Sequence, residues 1–121
     1  MTFNWREFLS VAEYLKDCND DCASHGAFLR SSVSRSYYAA FCAARNYAEE
    51  KLGFIPTRGA EDHKTLRECY KARNNTAISS KLDDLRKWRN DCDYQDHIDG
   101  IEAISTNALK HARNVLGKLK V

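Results

Sequence analysis

At 121 residues the chain can bury one hydrophobic core but hardly two, so a single domain over 1–121 is expected. Its 43% hydrophobic and 30% charged residues with a net charge of only +2 exclude a chain that is basic throughout, and any phosphate-binding surface has to be local. One proline and five glycines leave little material for hairpins, and no segment has the roughly eighteen uncharged apolar residues needed to span a bilayer, so a cytoplasmic, helical protein with no membrane contact is expected.

The first helix opens at "FNWREF". Asn4 is a cap, Glu7 stands three residues on as in a capping box, and Phe3 can staple against Phe8. It runs to about Lys16 on the stripe Trp5, Phe8, Leu9, Ala12 and Leu15, and "DCNDD" breaks it. A long second helix is expected from about Cys22, or nearer Ala27 because of Gly26, to Leu52. Its stripe is Val33, Tyr37, Ala40, Phe41 and Ala44, continuing at Tyr47 or Ala48, and Gly53 is its stop. Ala39, Ala40, Ala43 and Ala44 invite close approach by another helix. After "GFIPTRGAED" a third helix is predicted over about Asp62–Arg73, a fourth over about Ala77–Asp91 on Ile78, Leu82, Leu85, Trp88 and Cys92, and a last from about Asp96 to Lys118. That last helix gathers Lys110, Arg113, Lys118 and Lys120 near its C-terminus, where the helix dipole favours cations. With no strand pattern or repeat, the fold class is an all-α bundle of four to five helices with one long central helix.

Five widely spread cysteines (18, 22, 42, 69 and 92) are an odd number and read as reduced thiols. Cys18, Cys22 and His25 fall on one helical face like three metal ligands, but a structural zinc needs a fourth and tighter pairs. No metal and no cofactor is therefore expected.

Two stretches carry more than packing: "SVSRSYYAAFCAARNYAEEKLG" on the second helix and "LRKWRNDCDYQD" at the end of the fourth. Together they resemble the HEPN family of small prokaryotic helical domains. The resemblance implies a helical bundle, usually a homodimer, in which motif arginines of two protomers meet in a cleft. Active members pair Arg and a polar residue with a His four to six residues on, and cut RNA without metal. Arg89 and Asn90 match. Tyr94 stands where the first possible His would be, and His97 lies one residue beyond the family's longest spacing.

Cleavage of RNA needs a base for the 2′-hydroxyl, an acid for the leaving oxygen and a cation for the charge on phosphorus. Arg89 suits the last role, since its planar fork matches two phosphate oxygens. Asn90 would orient a hydroxyl or the phosphate. Tyr94 donates but is a poor base at neutral pH, and His97 titrates in the useful range. Arg35, Tyr38 and Arg86 are the candidate RNA-binding residues, on the expectation that the second helix lies beside the motif. The bland alternative is that Asp91 and Asp96 cap helix ends while Arg89 bonds to Asp93 and holds the corner. His63, in "EDHKTL", reads as a simple contact at the start of the third helix.

The expected functions are a toxin-like or defence endoribonuclease, or a non-catalytic RNA- or nucleotide-binding and protein-interaction module. The resemblance also implies a nucleotidyltransferase antitoxin partner, with Tyr94 as an acceptor for adenylylation.

Overall fold

The computed structural model describes residues 2–121, and among them five helices and no strand. They are α1 (Arg6–Lys16), α2 (His25–Lys51), α3 (Asp62–Ala72), α4 (Thr76–Tyr94) and α5 (Ile101–Leu119). The long α2 is the central element and packs against all four others. Its predicted stripe is the core: Val33, Tyr37, Ala40, Phe41, Ala44 and Ala48 are buried, and small residues at 39, 40, 43 and 44 let neighbouring backbones approach. Opposite them lie Leu9 and Ala12, Leu66 and Tyr70, Ile78, Leu82 and Leu85, and Ala108, Ala112, Val115 and Leu116.

Local chemistry sets most helix ends. Asn4 accepts from Arg6 N at 3.1 Å, and Phe3 meets Phe8 edge-on at 5.4 Å, so the staple forms. Ser24 caps α2 by accepting from Ala27 N, which places the helix start at His25. At its other end Gly53 takes φ +71° as the left-handed stop, and Phe54 N reaches back to Ala48 O at 3.1 Å. Asn75 caps α4.

The corner between α4 and α5 differs from the sequence expectation. α4 continues to Tyr94 and α5 starts only at Ile101, after Gly100 in the left-handed region. The cause lies on α2. Arg30 donates to three carbonyls, Cys92 O at 3.0 Å, Gln95 O at 2.6 Å and Asp96 O at 3.1 Å, and so satisfies the open C-terminal turn of α4 with a side chain distant in sequence. Asp91 and Asp96 therefore do not cap the two helices. No helix among the described residues is long and apolar enough to cross a membrane.

Candidate functional site

The candidate site is built on the face of α2 that carries Tyr37 and Phe41, four residues apart and stacked at 5.7 Å with rings 19° from parallel. A buried tyrosine needs a partner for its hydroxyl. That partner comes from α3: the Tyr37 hydroxyl bonds to His63 Nδ1. The imidazole lies flat on Phe41, 4.2 Å between centroids and 8° from parallel, and nearly parallel to Tyr37 at 5.6 Å. Helix α4 brings in Arg89, whose Cζ lies 5.5 Å from the centroids of both Tyr37 and Tyr38. Arg35 Cζ stands 5.4 Å from the Tyr38 ring and 4.6 Å from Phe8, so Tyr38 contacts two guanidinium groups.

Cations outnumber carboxylates here. Arg67 donates to His63 O at 2.8 Å and lies 3.6 Å from Asp83; Arg86 and Lys87 approach the same carboxylate at 2.9 and 3.1 Å. Burial works against the Asp83 carboxylate, but the hydrogen bonds from Arg86 and Lys87 outweigh it and hold its pKa below the usual value. Arg89 is 16% exposed, with Nη1 3.4 Å from Asp93, while its buried Nε bonds to nothing among the described residues. Burial and then the Arg89 and Arg67 charges, with a smaller push from Arg86, lower the His63 pKa against the opposing pull of Asp62, so the ring is neutral. Burial raises the Tyr37 pKa against Arg89, and its hydroxyl keeps its proton. Cys92, inside the motif, is a core thiol pushed up to about 11 by burial.

The structure thus brings Arg35, Tyr38 and Arg89 together, with Arg86 beside them in the Asp83 ion-pair group. The other candidates stand apart. At 100° per residue, Tyr94 is turned about 140° around α4 from Arg89 and about 180° from buried Leu85; it is 75% exposed. Asn90 is about a quarter-turn from Arg89 and half-buried. His97 lies past the helix end, 84% exposed and 2.8 Å from Asp99. His25 bonds to Glu102 at 2.8 Å, and among the described residues no group of three His, Cys, Asp or Glu is placed to hold a metal ion.

His63 and Arg67 are the residues that sequence reasoning passed over. Their signal was indirect, since a tyrosine on the buried stripe at position 37 called for a polar partner from another helix, and His63 stands in the first turn of α3.

Comparison with curated proteins and with solved structures gave no match. The family model for the HEPN domain matches residues 6–121, which takes in all five helices, both motif stretches and the arginine–tyrosine–histidine cluster. The chain belongs to the HEPN domain family.

Proposed function

We propose that this protein is a metal-independent endoribonuclease that holds the RNA backbone on Arg89 and its neighbouring cations. One observation carries the reading: Arg35, Arg67, Arg86, Lys87 and Arg89 crowd onto adjoining parts of α2, α3 and α4 against the carboxylates of Asp83 and Asp93, in a chain whose net charge is only +2. Mutual repulsion makes such a group unfavourable unless an anion answers it. A phosphodiester does so: a guanidinium fork takes two of its oxygens and stabilises the charge that builds as the 2′-oxygen attacks phosphorus. A homodimer would set a second Arg89 across a twofold axis, and the product would carry a 2′,3′-cyclic phosphate.

The test is incubation of the purified protein with single-stranded RNA in EDTA beside an Arg89→Ala variant. Cleavage that disappears with the arginine supports the proposal; intact RNA in both reactions refutes it.

A second reading, a non-catalytic RNA- or nucleotide-binding module, is favoured by the cover over Arg89 and its pairing with Asp93. Salt-sensitive binding without cleavage would select it. Exposure of Tyr94 supports its role as an acceptor for a nucleotidyltransferase partner, because its hydroxyl stands clear of the core. Added phosphate there would act from the outer face of α4, hindering the approach of RNA. A mass increase at Tyr94 after incubation with the partner and ATP is the expected result.

A further inference from the structure

We propose that His63 is the proton-accepting group of this cleft, its Nε2 taking the 2′-hydroxyl proton of a nucleotide whose 3′-phosphate sits on Arg89. The inference rests on the ribonuclease reading above and replaces Tyr94 and His97 in the role that the motif would give them. Neither of those faces Arg89, whereas His63 shares with it the Tyr37 and Tyr38 rings.

The ring is fixed from three sides, by Phe41 beneath it, by Tyr37 parallel to it, and by the bond from Nδ1 to the Tyr37 hydroxyl. Its second nitrogen, Nε2, makes no hydrogen bond among the described residues, and the residue is only partly buried. A hydroxyl that retains its proton can either donate to a bare Nδ1 or accept from Nδ1–H. In the second arrangement Tyr37 orients the ring with the Nε2 lone pair outward, as a base requires, and accepts a stronger hydrogen bond once the ring is charged.

The groups facing His63 explain why the ring waits for substrate. From α2 come the phenols Tyr37 and Tyr38; from α4, Arg89 and Arg86; from its own helix, Arg67 and Asp62. Three guanidinium groups oppose one carboxylate, and protonation is disfavoured while the cleft is empty. A phosphodiester on Arg89 reverses the local sign and makes the imidazole a better proton acceptor. The chemistry balances. Nε2 takes the 2′-hydroxyl proton as the 2′-oxygen bonds to phosphorus; the bond from phosphorus to the 5′-oxygen breaks, and that oxygen leaves with a proton from water. The hydroxide left behind recovers the proton from the imidazolium.

Histidine-ring NMR tests this with a short 2′-O-methyl oligoribonucleotide, which binds but has no 2′-proton to lose; His63→Gln assigns the resonance. The His63 midpoint should rise by about one pH unit or more when the oligonucleotide is bound, and the rise should vanish in Arg89→Ala. On unmodified RNA in EDTA, His63→Gln should cut at least about 100-fold more slowly and lose the acidic limb of the pH–rate profile while still binding the oligonucleotide. Binding that leaves the His63 midpoint unmoved overturns the inference alone, as does a His63→Gln variant that cuts within about threefold of the parent with the same pH profile. Failure of the parent protein to bind the oligonucleotide overturns the ribonuclease reading and this inference with it.

Discussion

Arg89→Met separates a functional arginine from a structural one. The substitution keeps an unbranched apolar stem of similar length and deletes the charge. On the debit side is the pair with Asp93, which at 3.4 Å with a one-third exposed carboxylate contributes about 0–1 kcal/mol. Two cation–π contacts at 5.5 Å are also lost, at about 0.5–1 kcal/mol each. Against these, Nε is buried without a partner, and relieving that desolvation returns about 1–3 kcal/mol. The thioether also packs on the Tyr37 and Tyr38 rings that the guanidinium leaves, at about 0.3–1.5 kcal/mol. The two sides cancel to within about 1 kcal/mol, so a urea denaturation should show a nearly unchanged midpoint and an unchanged slope. RNA binding and cleavage should be lost in the same variant. A stability loss beyond about 2 kcal/mol would mean that Arg89 holds the fold together, and the case for a strained anion site would fail.

Other outcomes follow from the same contacts. Arg30→Ala removes three hydrogen bonds to the α4–α5 corner; partial exposure discounts them, and a loss of about 2–4 kcal/mol in denaturant titration is expected. The folded-state pKa of Asp62 is lowered by the Thr57 N–H against burial, with help from the Thr57 hydroxyl and the Arg58 N–H. Its contribution is therefore present above the ordinary carboxylate value and lost as pH falls through the lowered one, and Asp62→Asn should flatten the acid limb of a stability–pH curve. His63 is lowered as well, but as a base that folds neutral. Between its folded and ordinary values the unfolded chain binds more protons, so stability rises with pH across that window, and His63→Gln should remove the slope. His97→Ala and Tyr94→Phe, at exposed positions, should each leave stability within about 0.5 kcal/mol and RNA cleavage unchanged.

The helices were legible because their signals are local. Asn4 and the Phe3–Phe8 staple, the buried stripe on α2 and the Gly53 stop all depend on residues within a few positions of one another. The α4–α5 corner was not legible, because what stabilises it is Arg30, more than sixty residues earlier in the chain. Without that side chain in view, Asp91 and Asp96 looked like natural caps. The sequence offers two readings of Arg35 and Tyr38, a place beside the motif helix or a solvated face and a core edge, and the structure sets both near Arg89. The place of His63 was hidden by its own context: next to the proline-bearing loop it resembles an N-terminal contact, and only the docking of α3 on Phe41 brings it to the aromatic cluster shared with Arg89.

On the proposal that this chain cleaves RNA, Tyr94 at the motif's histidine position leaves the role of proton acceptor to another residue. Helix α4 continues through residue 94 and places it on the face opposite Leu85, about 140° around the helix from Arg89. On that proposal the proton acceptor beside Arg89 comes from another element, as a flat group that fits against the aromatic rings of α2. His63 meets both conditions through its stacking on Phe41 and its bond to Tyr37. The aromatic platform of α2 serves two ends: it fills the core beneath, and it keeps water away from one side of the guanidinium and imidazole groups, which strengthens whatever charge an incoming phosphate presents. Replacing Phe41 with Leu would keep the core largely filled but remove the flat surface under the imidazole. If the platform sets the ring, such a variant should stay folded and bind RNA while losing cleavage; equal cleavage by Phe41→Leu would show that the ring needs no such support.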